Sequence, residues 1–258
     1  MSRAAEAPPV PRGRRTTFIV LAVVFGVGLG ALGLFSMVVG WLGAAGREEH
    51  RIHDIGFGAV AGILIAVPLL LQASRSERRI SEMQAVALGF VGFGAGYALG
   101  GAVPFLLGPV VIVALLWWLH PAREELAFRG RPQPILAALA VLAAIPLVIY
   151  AIDQAEVQRA CVLPDEHCEE FHFAGMAALA FALPLVGLAA AWRGPGWRTV
   201  ARLVAVAAAV FGLSGILYPD NLSSIGTTWG AIALAGGVIF ISVAQLAAPG
   251  REGALQAP

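Results

Sequence analysis

Long apolar runs alternate with short polar bursts along the 258 residues of the chain. Each run is close to the roughly 20 residues that a helix needs to cross about 30 Å of hydrocarbon. The pattern therefore predicts an all-α fold, a polytopic membrane helix bundle of about eight transmembrane helices. The predicted spans are Thr17–Gly43, Ile55–Gln72, Ala85–Gly100, Ala102–Leu119, Ile135–Ile152, Phe173–Trp192, Val200–Leu217 and Ile225–Leu246.

The third and fourth spans come from a single apolar stretch of 35 residues, Ala85 to Leu119. As one helix this stretch would be about 52 Å long at roughly 1.5 Å per residue, which exceeds the thickness of a bilayer. The pair Gly100-Gly101, followed by Pro104, supplies the turn that this length demands. We therefore predict two helices joined by a very short loop.

The ends of the chain are polar. The pattern predicts a basic tail at 1–16, a single membrane domain at 17–247 and a second tail at 248–258. The first apolar run is longer than the ~7–15 residues of a signal-peptide core, so we interpret it as an uncleaved anchor. Cleavage near Ala44 is the alternative, and it would leave seven spans.

The second and sixth spans begin alike. His53 and His172 are each followed by a glycine three positions later, and both spans contain a later proline. Four spans separate the two segments, so both histidines are expected on the same side of the membrane. The match favours a duplicated four-helix unit, with halves at 17–119 and 135–247 related by an axis along the membrane normal. An unduplicated bundle remains the alternative, because alanine and glycine are common throughout the chain.

The composition supports the membrane assignment, since 59% of the residues are hydrophobic and 13% are charged. A soluble domain carries about twice that charged fraction. The chain contains no lysine, which excludes Schiff-base chemistry and a Walker A phosphate site. The sequence has no basic patch with interleaved aromatic residues, the pattern that is typical of nucleic-acid binding. The expected partner is the lipid bilayer.

Arginine placement predicts the orientation, because cytoplasmic loops carry an excess of arginine. With the N-terminus inside, 14 of 17 arginines are cytoplasmic and ten of 16 acids are outside. We therefore expect a multi-pass protein of the plasma membrane with both termini in the cytoplasm. The 14 arginines are Arg3, Arg12, Arg14, Arg15, Arg75, Arg78, Arg79, Arg123, Arg129, Arg131, Arg193, Arg198, Arg202 and Arg251, whereas Arg47, Arg51 and Arg159 are outside.

The longest predicted outer loop contains both cysteines of the chain, Cys161 and Cys168, with six residues between them. Disulfides form on the oxidising side of a membrane. The sequence therefore predicts a disulfide that staples this loop over the helix ends.

Histidines and carboxylates gather at the predicted outer rim, whereas the centres of the spans carry no charge. Offsets of three and four place His50, His53 and Asp54 on one helical face at the start of the second span. Glu169 and His172 lie at the start of the sixth span. As acid–base groups, the candidate catalytic residues are His53, Asp54, Glu169 and His172. As ligands of a divalent metal, the candidates are His50, His53, Glu169 and His172.

The same residues also fit a purely structural interpretation, because acids near helix N-termini are favoured by the helix dipole. Their spacings match no specific metal motif, and no cofactor other than a divalent metal is suggested. Three functions remain open: handling of a lipid or small apolar molecule at the outer leaflet, membrane-embedded enzymatic action on a lipid-like substrate, and service as a structural subunit. The enzyme hypothesis requires His53 and His172 to reach a common point, roughly 10 Å apart or less.

Three short segments carry a family resemblance. A histidine that opens an apolar span with a later proline, as in His53 to Pro68 and His172 to Pro184, resembles a pattern of the domain-of-unknown-function 998 family of actinobacterial multi-pass membrane proteins. The segment from Gly215 to Asp220 resembles the glycine–aromatic–proline–acid ending of a span in that family. Unlike the family pattern, the span that follows Asp220 does not open with histidine. The resemblance implies a membrane location and no particular activity.

Overall fold

A computed structural model describes residues 11–43, 48–129, 131–162 and 165–247, and these residues form helices and no strands. Most of both predicted tails, the alternative cleavage point near Ala44, and Arg3, Arg47 and Arg251 lie outside the described residues. The helices are α1 (Arg12–Leu42), α2 (Arg51–Phe57), α3 (Val67–Leu71), α4 (Ile80–Leu99), α5 (Leu107–Leu119), α6 (Pro134–Ala160), α7 (Glu166–Glu169), α8 (His172–Ala191), α9 (Trp197–Leu217) and α10 (Gly226–Leu246). A π-helical stretch, Gly58–Ala66, joins α2 to α3, so that Glu48–Leu71 is one continuous helical segment.

Within the described residues, six helices are long and apolar enough to cross a membrane. They are α1, the segment Glu48–Leu71, α6, α8, α9 and α10. The third and fourth predicted spans also form helices, but α4 begins with the polar residues Ser81, Glu82 and Gln84, and the apolar helix Val103–Leu119 is short. Eight crossings therefore remain a prediction.

The helical structure is interrupted at the predicted glycine pair, Gly100-Gly101. α4 ends at Leu99, and Gly101 adopts a left-handed conformation with φ +91°, which a glycine adopts without steric cost. A tight turn, Val103–Leu106, follows, so α5 begins at Leu107 rather than at the predicted Ala102. The prediction of a break was correct, and the fourth helix is shorter than expected because Pro104 lies in the turn.

Consecutive long helices run in alternate directions, and α8 lies at the centre of the bundle. In the most apolar stretch of α8, 83% is buried, whereas only 17% of the corresponding stretch of α6 is buried, because α6 faces outward. α8 packs against α4 and α6, and α1 packs along the segment Glu48–Leu71. In the first predicted half, α1 packs with the segment Glu48–Leu71, and in the second half α6 packs with α8 at the equivalent place. Duplication of the two halves stays a prediction.

Small residues let α4 and α8 approach closely, as helix packing in membranes often requires. Gly92, Gly96 and Gly100 face α8, where a Cβ on Gly96 would lie 2.2 Å from the backbone nitrogen of Ala178. Gly94 instead faces Leu106. Three of these four glycines therefore form the close contact between α4 and α8. The contact holds the start of α8, and hence His172, in a fixed position.

Candidate metal centre

Four histidines converge at one end of the bundle, and we name this end the histidine rim: His50, His53, His167 and His172. His50 closes the turn before α2, His53 lies in α2, His167 lies in α7 and His172 begins α8. Three separate segments of the chain therefore deliver imidazole rings to one place.

The four rings form two stacks. The rings of His50 and His167 are parallel, with centroids 4.2 Å apart, and those of His53 and His172 stack at 5.1 Å. The ring of His50 meets that of His172 edge-on at 4.7 Å. His53 and His172 thus satisfy the separation that the enzyme hypothesis required.

Three of these histidines each direct one nitrogen at a carboxylate. Nε2 of His172 lies 2.9 Å from Glu170, and Nδ1 of His167 lies 3.0 Å from Asp165. Nε2 of His50 lies 3.5 Å from Oε2 of Glu166, which is a longer contact. Asp165 and Glu170 each accept a hydrogen bond from the N–H of the facing ring, which favours the tautomer that carries its proton on that nitrogen.

In each of these three rings, we call the nitrogen that does not face the carboxylate the inner nitrogen. Nδ1 of His50 and Nδ1 of His172 are 3.0 Å apart, and Nε2 of His167 is buried without a hydrogen-bond partner. One potential ligand nitrogen of each of the three residues lies within 4.8 Å of the others. When the outer nitrogens carry the protons, the inner nitrogens present lone pairs to one another. A cation between them would offset that repulsion.

This donor set suits a transition metal such as zinc. Two nitrogen ligands of tetrahedral zinc lie roughly 3.3 Å apart when each bond is about 2.0–2.1 Å long. The pair from His50 and His172 is near that spacing, whereas separations of up to 4.8 Å within the group require one ring to move inward on binding. Carboxylates that accept a hydrogen bond from ligand histidines are a common second layer of metal sites.

Local structure explains why the loop after α6 delivers His167. Cys161 and Cys168 form the predicted disulfide, which closes this loop next to His167. The side chain of Asp165 accepts a hydrogen bond from the backbone nitrogen of His167 at 2.8 Å and so caps α7. This bond, together with that from the ring, holds the pKa of Asp165 below its ordinary value. The carboxylate therefore stays charged beside the ring.

The polar side chain of Gln158 holds the start of α8 from the side. Gln158 of α6 donates to the carbonyl of Cys168 at 3.1 Å and accepts from the backbone nitrogen of Ala174 at 3.2 Å. Phe171 adopts a left-handed conformation with φ +55°, which places a sharp turn directly before His172. Non-glycine residues rarely adopt this conformation unless their surroundings enforce it, and such residues cluster at functional sites.

His53 is oriented by a separate chain of hydrogen bonds. The hydroxyl of Ser223 donates its single proton to Oε1 of Gln154 at 2.5 Å, and so it accepts from Nε2 of His53 at 2.8 Å. Nδ1 of His53 is then an acceptor, and it is buried without a hydrogen-bond partner. Ser223 itself has φ +62° and its carbonyl accepts from the hydroxyl of Tyr150 at 2.6 Å.

A cavity of about 250 Å³ opens beside His172, one of the three ligand candidates. Its polar residues include His53, Asp54, Glu170 and His172, and the hydroxyl of Ser36 donates to Oδ1 of Asp54 at 3.0 Å. Its apolar wall includes Leu32 and Phe35 of α1, which are 55% and 69% exposed and so mark the open side, together with Phe57 and Phe171. The cavity therefore joins a polar interior to the apolar outer face of the bundle.

The structure brings together most of the predicted site residues. His50, His53 and His172 meet, and Asp54 lies at the cavity, where it faces α1. Glu169 is exposed on α7, where its backbone nitrogen donates to the carbonyl of Asp165 at 3.0 Å, and its side chain is not among the groups that meet at the rim. His167 takes the place that the prediction gave to Glu169. Its position inside the disulfide loop was the available signal.

Comparisons of the chain with protein-family models, with curated proteins and with solved structures find no match. The resemblance to the domain-of-unknown-function 998 family therefore stays a prediction.

Proposed function

We propose that the protein is a membrane enzyme that binds a divalent transition metal at the histidine rim and acts on a lipid-like molecule in the adjacent cavity. His50, His167 and His172 supply the metal ligands. One observation carries the proposal: each of these buried or half-buried rings faces a carboxylate with one nitrogen and its fellow histidines with the other. The arginine bias supports an orientation in which this rim lies outside the plasma membrane.

If His50, His167 and His172 held a zinc ion, the metal would supply what it supplies in catalytic zinc sites, activation of water as a nucleophile near neutral pH. The matching reaction class is hydrolysis, in which water adds to a carbonyl and the bond to the leaving group breaks. His53 and Asp54 line the cavity with hydrogen-bond acceptors next to His172. Their position supports the predicted acid–base roles of His53 and Asp54. In this proposal His172 has its other predicted role, that of a metal ligand.

Metal content tests the centre. Protein purified with a tag that lacks histidine is expected to carry about one zinc ion per chain, measured by mass spectrometry of the metal. His167→Ala should reduce the metal content at least tenfold, because it removes the buried inner nitrogen. His120→Ala is the matched control, since His120 is a buried histidine far from the rim, beside Phe18 and Arg14. Equal metal content in all three proteins would refute the centre.

Turnover tests the enzymatic part. Hydrolysis of 4-nitrophenyl laurate in mixed micelles should stop when 1,10-phenanthroline removes the metal and return when zinc is added. His167→Ala should be inactive under the same conditions. Activity that persists without metal would overturn the proposed reaction.

Non-enzymatic lipid handling is a second candidate, and a specific observation favours it. The cavity opens between apolar side chains of α1 and reaches buried polar groups, a shape that suits an amphiphile with its chain in the bilayer. Metal binding without turnover of any acyl substrate would support this candidate.

A further inference from the structure

We propose that the cavity beside the histidine rim selects single-chain amphiphiles with an ammonium headgroup and rejects anionic headgroups. The inference deepens the proposed function, on which it rests, because it names the class of molecule that reaches the same site. It is carried by the charges and the shape of the cavity.

The polar side of the cavity is acidic. Asp54 and Glu170 both line it, and no arginine is among its described lining residues. The chain has no lysine that could supply a positive charge. A phosphate or carboxylate headgroup would therefore be placed beside two carboxylates, which is unfavourable at short range.

A bound metal does not reverse this balance. Asp165, Glu166 and Glu170 face the three ligand histidines, and Asp54 adds a fourth carboxylate nearby. Four negative charges exceed the two positive charges of a divalent ion, and the histidines are neutral when they bind a metal. The site therefore keeps a net negative charge that attracts a cation.

The other lining groups fit an ammonium ion in detail. Nδ1 of His53 is buried and is a hydrogen-bond acceptor. The proton of the ring is on Nε2, because Nε2 donates to Ser223, whose own proton is donated to Gln154. Aromatic rings of Phe57, Phe171 and Tyr97 line the same space, and ring faces attract cations. An ammonium group donates up to three hydrogen bonds and accepts none, so it matches this set of acceptors.

The volume of the cavity limits the occupant to a headgroup. About 250 Å³ is the space of roughly eight water molecules at about 30 Å³ each. A long chain must therefore leave through the open side, past Leu32 and Phe35 on the outer face of α1. A single-chain amphiphile would place its headgroup in the cavity and its one alkyl chain along the outer face of α1.

Retention of three dodecyl probes tests the proposal. Immobilised neutral phosphatidylcholine nanodiscs with the full chain are equilibrated with dodecylamine, 1-monolaurin or dodecyl phosphate, and the retained probe is quantified against empty nanodiscs. We expect dodecylamine to be retained at least tenfold more than dodecyl phosphate, with 1-monolaurin between them. Equal or greater retention of either other probe would overturn the ammonium preference.

Two variants locate the binding. Val39→Trp fills the cavity from α1 and should reduce dodecylamine retention at least fivefold, whereas Val38→Trp, on the exposed side of the same helix, should not. Asp54→Asn should narrow the gap between dodecylamine and dodecyl phosphate. Retention that Val39→Trp leaves unchanged would place the probe elsewhere and refute the site.

The metal content of every sample is measured alongside. A wild-type protein that retains dodecylamine but holds no metal contradicts the proposed metal centre and leaves the ammonium site standing. A metal-loaded protein without any preference among the probes contradicts the ammonium site alone.

Discussion

The two ends of the bundle both bury polar side chains, but they satisfy them in opposite ways. At the end opposite the histidine rim, which we name the arginine rim, unlike charges meet: Arg79 pairs with Glu82 at 2.8 Å and Arg15 pairs with Glu77 at 3.2 Å. Arg14 donates to the backbone carbonyl of Leu119 at 3.2 Å, at the end of α5, where a positive charge is favourable.

At the histidine rim, like groups meet instead. Nδ1 of His50 and Nδ1 of His172 face each other at 3.0 Å, and the carboxylates of Asp165, Glu166 and Glu170 face imidazole rings. Buried polar groups are normally paired within the protein. Both rims nevertheless keep buried polar atoms without a hydrogen-bond partner, among them Oε2 of Glu82 and Nε2 of His167. The difference lies in what faces the carboxylates: guanidinium groups at the arginine rim, and at the histidine rim imidazoles, which could also hold a metal ion.

The largest expected effect concerns the arginine rim. Arg79→Ala removes the counter-charge of Glu82, whose side chain is fully buried. Loss of one partner of a buried ion pair costs about 3–5 kcal/mol. We expect a large fall in the melting temperature of the purified protein, followed by tryptophan fluorescence, with no loss of metal.

The double variant Arg79→Ala with Glu82→Gln is the control, because it removes both charges. It should recover a substantial part of the lost stability. If Arg79→Ala lost metal as readily as it lost stability, the two rims would not be independent and the comparison would fail.

A smaller effect is expected from the carboxylates of the histidine rim. Asp165→Asn keeps the size of the side chain but weakens the hydrogen bond that orients His167. Outer carboxylates of this kind typically contribute about 10–100-fold to metal affinity. Competition with a zinc-binding dye should show a loss in this range.

Glu77→Gln is the matched variant at the arginine rim, where the carboxylate of Glu77 pairs with Arg15 on the surface. It should leave zinc affinity unchanged and alter stability by less than about 1 kcal/mol. Identical zinc affinity in Asp165→Asn and wild type would show that the facing carboxylates do not serve a metal.

The sequence predicted the helical fold because its signal is one-dimensional. Apolar length gives the helices, and the glycine pair at 100–101 gives the break between α4 and α5. Arginine counts distinguish the two ends of the bundle. The disulfide was predictable because its two cysteines are the only ones in the chain.

The site was predictable only in part, because side-chain direction depends on packing. Helical spacing indicated that His50 and His53 act together, but it could not show that Asp54 turns to Ser36. Nor could spacing choose between Glu169 and His167, which are two positions apart in a loop. The fold of that loop depends on the disulfide and on the cap from Asp165, and these contacts direct His167 inward.

The smallest expected effect is a pH dependence at the arginine rim. Burial lowers the pKa of His120 to about 4, even though Glu77 nearby acts in the opposite direction, and Arg14 adds to the lowering. The unfolded chain binds a proton near pH 6.5, the ordinary pKa of histidine, whereas the folded protein does so only near pH 4. Stability is therefore full above pH 6.5 and falls as the pH is lowered from 6.5 toward 4.

Within this window, each decrease of one pH unit lowers the free energy of unfolding by about 1.4 kcal/mol. His120→Gln cannot titrate, so the difference in melting temperature between wild type and this variant should change between pH 7.5 and pH 5.5. His167→Ala is used as the background for both proteins, so that loss of metal at low pH does not enter the measurement. If the difference stays constant across this range, His120 has the same pKa in the folded and the unfolded protein. At pH 5.5 the arginine rim would then hold like charges, His120 beside Arg14, as the histidine rim holds like groups.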